Sequence, residues 1–355
     1  MGTILLFIVV LSLLVFVHEL GHFLVAKKMG MKVEEFGFGF PPKLFGITRG
    51  DTTYSINWIP LGGFVRIKGE SGENRGDTDS FASKKAWKRF CVLAAGVVMN
   101  LFLAIVLFSI GFMVGLPTMI DENLSASATV KERVLTVATV VKDSSAAQAG
   151  IQDGDTINFI DGQTFPSAEA ARTYLLEKGP SGVTLEVKGQ DDAVRTEKLT
   201  STQIDGKNLL GVGLIETGLV SYSFFPAIGH GIMTTVDFTR QIFQAFGGMF
   251  MSLINGHGPG VELSGPVGIA VLTGRVAAMG FIYLLQFTAL LSINLAVLNV
   301  LPFPALDGGR ILFLIIEKLR GRPVSQKIEA MVHNFGFGLL MLLVVFVTYK
   351  DIVHL

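Results

Sequence analysis

The chain has 355 residues, of which 50% are apolar and only 16% charged, a balance too apolar for an ordinary soluble domain and typical of a polytopic membrane protein. Its 29 basic and 29 acidic residues cancel, so nothing in the charge balance points to nucleic acid as a partner. The single cysteine, Cys91, excludes an intramolecular disulfide and any cysteine-based metal or redox motif.

The first predicted element is an apolar run from about residue 3 to 26, long enough as a helix to cross a bilayer core of roughly 30 Å at about 1.5 Å per residue. It has no basic leading region of the kind a signal peptide carries, and it is expected to be retained. Its only ionisable side chains lie in His18-Glu-Leu-Gly-His22. Positions i and i+4 share one helix face, so His18 and His22 can direct imidazole nitrogens at one metal ion, with Glu19 about 100° away as candidate general base. Catalytic zinc keeps three protein ligands and an open position. The alternative is a pair of histidines hydrogen-bonded to neighbouring helices beside a neutral Glu19, which leaves an unpaired carboxyl in a costly apolar setting.

The loop from Val33 to Ile67 carries strand candidates at Thr53–Ile59 and Gly63–Ile67. Further spans are predicted at about 91–115, 281–304 and 331–349. Lys27, Lys28 and Lys32 follow the first span and Lys84, Lys85, Lys88 and Arg89 precede the second, which places that loop in the cytoplasm. Arg320 and Arg322 put the loop between the last two spans on the same side. Both termini and residues 116–280 then lie outside. From His18 to Lys27 is roughly 14 Å of helix, so the metal is expected below the cytoplasmic surface, away from the bilayer midplane.

Strand-like runs at Leu135–Val141, Thr156–Ile160, Val183–Val187 and Leu209–Ile215, with a helix over Ser167–Glu177, predict a small α+β domain. The segment Ser144 to Gly162 is similar to the bacterial PDZ pattern, a fold that can receive an extended peptide as an added strand or simply hinder bulky proteins from approaching the membrane. Over 221–255, Phe238, Ile242, Phe246 and Phe250 alternate with Asp237, Arg240, Gln241 and Gln244. This predicts an interfacial amphipathic helix, or else one packed on the exported domain.

A third metal ligand is required. His230, His257, His333 and His354 lie in less constrained settings than Asp307, which sits in Asn299-Val-Leu-Pro-Phe-Pro-Ala-Leu-Asp-Gly-Gly309 after an uncharged run. Pro302 and Pro304 end the preceding helix, while Gly308 and Gly309 permit close backbone approach, so Asp307 can be aimed back at the metal. It can equally be the N-cap of a helix beginning near Arg310.

With HELGH in the first span and NxxPxPxLDGG in a late one, the chain resembles the site-2 protease family of intramembrane zinc metalloproteases. The resemblance extends through Phe36-Gly-Phe-Gly-Phe-Pro-Pro-Lys43, Pro60-Leu-Gly-Gly-Phe-Val-Arg66 and Leu263-Ser-Gly-Pro-Val-Gly268, and is strongest to the bacterial RseP-type subgroup. Well-known members carry two tandem PDZ domains, whereas this chain has room for one. The resemblance implies Zn2+ bound by His18, His22 and Asp307, Glu19 as catalytic base, and a membrane-dipping β-hairpin whose edge pairs with substrate. Substrates would be single-pass membrane proteins such as anti-sigma factors or remnant signal peptides, met in the lipid bilayer of a bacterial inner membrane. Asn294 and Asn299 are candidates for holding substrate backbone, since an amide offers both donor and acceptor, or else for helix-to-helix hydrogen bonds. Gly62 and Gly63 are candidates within the hairpin.

The expected fold is thus a polytopic α-helical membrane protein of about four transmembrane helices with a membrane-associated β-hairpin and an inserted α+β PDZ domain. Residues 1–115 and 281–355 would form the two catalytic parts, 128–218 the PDZ domain and 221–280 the interfacial segment. Two other function classes are a non-catalytic PDZ-bearing membrane adaptor and a transporter, the latter disfavoured by the lack of an inverted repeat.

Overall fold

The computed structural model describes residues 2–120, 124, 127–189, 193–204, 207–256 and 264–353. It divides the chain into two compact units, Met1–Gly111 with Ile228–Leu355 and Phe112–Ala227.

In chain order, helix α1 (Gly2–Lys28) leads to strands β1 (Val33–Arg49) and β2 (Thr52–Ile67) and helix α2 (Ala86–Val114). Strands β3 (Leu116–Met119) and β4 (Thr129–Val140), helix α3 (Ser145–Gln148), β5 (Thr156–Ile160), helix α4 (Ala168–Lys178), β6 (Val183–Lys188), β7 (Val194–Leu199), β8 (Thr202–Ile204), β9 (Lys207–Leu209) and β10 (Val212–Ser221) follow. Helices α5 (Phe224–Ile254), α6 (Pro266–Met279), α7 (Phe281–Val300), α8 (Asp307–Arg320) and α9 (Gln326–Val353) complete the chain.

Among the described residues, α1, α2, α7 and α9 are long and apolar enough to cross a membrane. Each carries exposed large apolar side chains, such as Leu13, Leu24, Phe102, Leu298 and Phe346, as a lipid-facing surface requires. Helices α1, α2 and α9 run past the predicted spans at their polar ends, whereas α7 stops at Val300, short of the predicted 304. Helix α2 starts at Ala86 because Arg89 is held there by a two-pronged ion pair to Glu317 of α8, at 3.1 and 2.6 Å. At the other end of the bundle, Asp351 of α9 accepts the N–H groups of Gly265 (3.2 Å) and Gly268 (2.7 Å), capping the start of α6. Leu263 of the Leu263–Gly268 motif lies outside the described residues, as do His257 and His354.

Strands β1 and β2 form more than a hairpin. Residues 35–38 pair with both 53–56 and 63–66, while 45–49 pair with 52–56. Four runs therefore lie side by side in the order 45–49, 52–57, 35–40 and 63–67. This happens because β2 bends back at Pro60–Gly62, where Gly62 has φ +84°. That bend is pinned to α1: Ser12 Oγ donates to Pro60 O (2.6 Å) and accepts from Gly62 N–H (3.3 Å). Phe23, Ala26, Met31, Val33, Phe36, Ile67, Val92 and Leu314 form the apolar core that holds α1, the sheet, α2 and α8 together.

Helix α5 packs on α2, with Phe238 stacked on Phe108 at 5.8 Å between ring centroids. Phe243, Phe250, Met251 and Ile254 remain exposed. The amphipathic helix expected over 221–255 corresponds to α5, and α6 is a separate helix after it.

In the second unit, six strands make one antiparallel sheet in the order β3-β10-β4-β5-β6-β7. Alternate residues Val183, Leu185 and Val187 of β6 point into its core with Val137, Ile157, Ile160 and Leu214. Helix α4 covers this face through Ala171 and Leu175, and Ser167 caps it by accepting from Ala170 N–H. The run predicted at Leu209–Ile215 is broken at Gly211 (φ +83°), which separates β9 from β10.

Candidate metal centre

Helix α1 stacks His18 and His22 one turn apart, both 7% exposed. Their Nε2 atoms lie 3.2 Å apart. Asp307 Oδ2 is 3.0 Å from His18 Nε2 and 3.3 Å from His22 Nε2. Four ligands around zinc at ~2.0–2.1 Å stand roughly 3.3 Å from one another, so the triangle has the size of one face of that tetrahedron. His22 Nδ1 is 2.7 Å from the carbonyl oxygen of Val92, which can only accept, so Nδ1 carries a proton; in the neutral ring, the form that ligates a metal, Nε2 then turns a lone pair toward a carboxylate oxygen. Two lone pairs face each other favourably only across a cation.

Asp307 reaches this position because α7 ends at Val300 and Leu301–Leu306 folds back before α8. The turn is held by the N–H of Ala305 donating to His333 Nδ1 (2.9 Å). Gly308 and Gly309 are required there: a Cβ on Gly308 would lie 2.1 Å from Leu301 O, and one on Gly309 2.3 Å from Phe303 O. The capping alternative is not realised. Helix α8 begins at Asp307 itself, with Leu306 as its N-cap residue, and the carboxylate is turned to the histidines.

His18, Glu19, His22 and Asp307 line one cavity of about 320 Å³, whose walls include Val15, Phe64, Val65, Leu295, Asn299 and Arg310. Of the residues singled out in the sequence, Asn299 is thus brought to the metal site, where its Nδ2 donates to Leu295 O (3.0 Å). Asn294 does not line the cavity. Neither do Gly62 and Gly63, which pack on Val15 and Phe16 of α1; their neighbours Phe64 and Val65 form the wall instead. His230 and His333 are not among the groups that could hold a metal.

Sequence reasoning predicted helix α2 as a span but not the face it turns to the histidines. Val92, Gly96 and Asn100 recur every four residues on α2 and face the two histidines: the Val92 carbonyl meets His22, and the Asn100 amide meets His18. Between them Gly96 leaves no room, since a Cβ there would be 2.5 Å from His22 Nε2 and 2.6 Å from His18 Cε1. Gly96→Ala is therefore expected to weaken zinc binding roughly 10–100-fold, from an overpacking cost of about 1–3 kcal/mol borne by the ligands; competition with a chromogenic chelator measures it. Arg310 and Glu70, also unforeseen, form an ion pair on the cavity wall.

The profile of peptidase family M50 matches residues 6–343. The chain belongs to this family. It is 32% identical to the zinc metalloprotease RasP of Geobacillus kaustophilus over 98% of this chain and 96% of that one. To the regulator of sigma-W protease RasP of Bacillus subtilis it is 30% identical, over 100% and 99% of the two chains. A crystal structure of the PDZ domain of the SdrC-like protein from Listeria innocua aligns with 23% of the chain and 92% of its own, at 25% identity and a TM-score of 0.21. As a member of the M50 family the protein is a site-2-type intramembrane zinc metalloendopeptidase. The adaptor and transporter classes fall away.

Proposed function

We propose that His18, His22 and Asp307 hold the zinc ion, that Glu19 is the general base, and that the protein cuts single-pass membrane proteins near the cytoplasmic end of their spanning helix. The observation that carries this reading is the convergence of His18 Nε2, His22 Nε2 and Asp307 Oδ2 to within 3.0–3.3 Å of one another in the cavity that Glu19 also lines. Zinc bound there supplies Lewis acidity, polarising the scissile carbonyl and lowering the pKa of a water molecule. Glu19 takes the proton from the attacking water and delivers it to the leaving amide nitrogen, so the peptide C–N bond breaks as the C–O bond forms. Asn299 is placed to hold substrate backbone, with Asn294 further off.

A scissile bond within a helix has its carbonyl engaged in hydrogen bonding, so the substrate must be extended before attack. The run 63–67 is the outer member of the four-run sheet, and its Phe64 and Val65 face the metal cavity. An unwound substrate segment pairing along this edge would lie beside Glu19. A substrate helix carrying a Gly-Ser pair in its cytoplasmic third is therefore expected to be cleaved at least about fivefold faster than an all-leucine helix of equal length, since the helix-propensity cost of roughly 1 kcal/mol or more is already met in the first. Equal rates, compared in single-turnover assays, would overturn the strand-pairing part of the reading.

The basic residues around α1 and α2 support a cytoplasmic loop between them, with both termini and residues 128–218 on the extracytoplasmic side of a bacterial inner membrane. We assign 128–218 as a single PDZ domain, residues 1–115 and 281–355 as the membrane-embedded catalytic parts, and 221–280 as an interfacial segment. The name of the Bacillus subtilis relative, a regulator of sigma-W protease, favours membrane-anchored anti-sigma factors as the substrate class, with remnant signal peptides as the second.

A further inference from the structure

Asn100 is fully buried in α2. Its Nδ2 lies 3.3 Å from His18 Nδ1, while its Oδ1 is buried and has no hydrogen-bond partner. The two ends of a carboxamide have the same shape, and only their partners decide which faces which. With the nitrogen toward His18, Nδ1 must accept, so a neutral ring carries its proton on Nε2. That proton points at Asp307 Oδ2, and His18 cannot then bind a metal through Nε2. With the oxygen toward His18, Nδ1–H donates to it and Nε2 presents a lone pair to the same point as His22 Nε2 and Asp307 Oδ2.

We propose that Asn100 is the positioning residue of the zinc site: its side-chain oxygen accepts the Nδ1–H of His18 and holds the ring in the tautomer that ligates. This rests on the reading of His18 as a ligand. His22 supplies the precedent within the same site, because its Nδ1–H is fixed by the Val92 carbonyl two turns away on the same helix face. The two ligand histidines are thus oriented by one α2 stripe, through a backbone oxygen for His22 and a side-chain oxygen for His18. The stripe is itself held in place, since Ser292 of α7 donates to the backbone carbonyl of Asn100 at 2.8 Å. That bond survives any side-chain replacement at position 100.

Zinc dissociation constants measured by chelator competition on the full-length protein in detergent test the assignment. Asn100→Leu and Asn100→Ala are expected to bind zinc 10–100-fold more weakly than wild type. Asn100→Asp, which can only accept at Oδ1 and Oδ2 when ionised, is expected to stay within a few-fold of wild type. The Ala variant adds no bulk and serves if the Leu variant does not fold. Wild-type affinity in Asn100→Ala, or an Asn100→Asp variant as weak as Asn100→Ala, would overturn the proposal. His18→Ala measured alongside separates the two levels: if it keeps wild-type affinity, His18 is not a ligand and both readings fall, whereas if it loses zinc while Asn100→Ala does not, only the role of Asn100 falls.

Discussion

Glu19→Gln is expected to retain zinc at wild-type affinity while its cleavage rate falls by roughly 10²–10⁴-fold, the range over which a positioned general base contributes. The amide keeps the size of the carboxyl and its place in the cavity beside His18 and Asp307, but it cannot take a proton from water. The zinc ligands are untouched, because Glu19 points about 100° away from the face that His18 and His22 share. Single-turnover cleavage of a tagged single-pass helix, read with metal analysis of the same preparation, separates the two quantities. Undiminished cleavage by this variant would remove Glu19 as base.

Asp307→Asn is expected to lose zinc affinity by roughly 10²–10³-fold. With Asp307 ionised, the three ligands supply one negative charge to a dipositive ion; with an amide they supply none, in a cavity whose other charged groups are Glu19 and the Glu70–Arg310 pair. Removing a charged partner from a buried site costs about 3–5 kcal/mol. The loop itself should persist. Its contact to His333 is made by the backbone of Ala305, and Gly308 and Gly309 keep their close approach to 301 and 303. Metal-free wild type and variant should thus unfold at similar temperatures while zinc stabilises only the former. A variant that still gains wild-type stabilisation from zinc would exclude Asp307 as ligand.

One periodicity and one cluster of turn residues pointed to the proposed metal ligands in the sequence. His18 and His22 are separated by one helical turn within an apolar run, a pairing that survives any tertiary arrangement because it depends on α1 alone. Asp307 was legible in part through its neighbours: Pro302, Pro304, Gly308 and Gly309 mark a reversal, but they left ligand and N-cap open, and the family resemblance favoured the ligand. The spans were similarly local. What depended on packing between elements was not visible. The four-run sheet needs β2 to double back at Gly62 against Ser12 of α1, which no alternation pattern announces, so strand candidates were placed at 53–59 and 63–67 without β1, their partner. Asn100 is an intramembrane amide like Asn294 and Asn299, yet only the approach of α1 to α2 distinguishes it. Gly21 comes so near α2 that a Cβ would sit 2.4 Å from Ala95 O, which brings His18 and His22 onto the Val92–Asn100 stripe. Asn294, chosen on the same chemical ground, is next to Leu295 in α7 but about 100° round the helix from it, and does not line the cavity that Leu295 and Asn299 help to wall.

Arg89 was read in sequence as a matter of topology, and Arg310 only as marking the start of a helix. In the fold both are structural, Arg89 tying α2 to Glu317 of α8 and Arg310 tying α8 to Glu70 beyond the sheet. Charges near membrane ends can serve orientation and packing together, and the first use conceals the second.

Mapping the bond that the purified, zinc-quantified protein cuts in a tagged single-pass helix, by mass spectrometry of both fragments, tests the central claim most directly. The account predicts one zinc per chain and a metal-dependent cut inside the spanning segment toward its cytoplasmic end. A cut confined to residues outside that segment, or cleavage undiminished in metal-free protein, would contradict it.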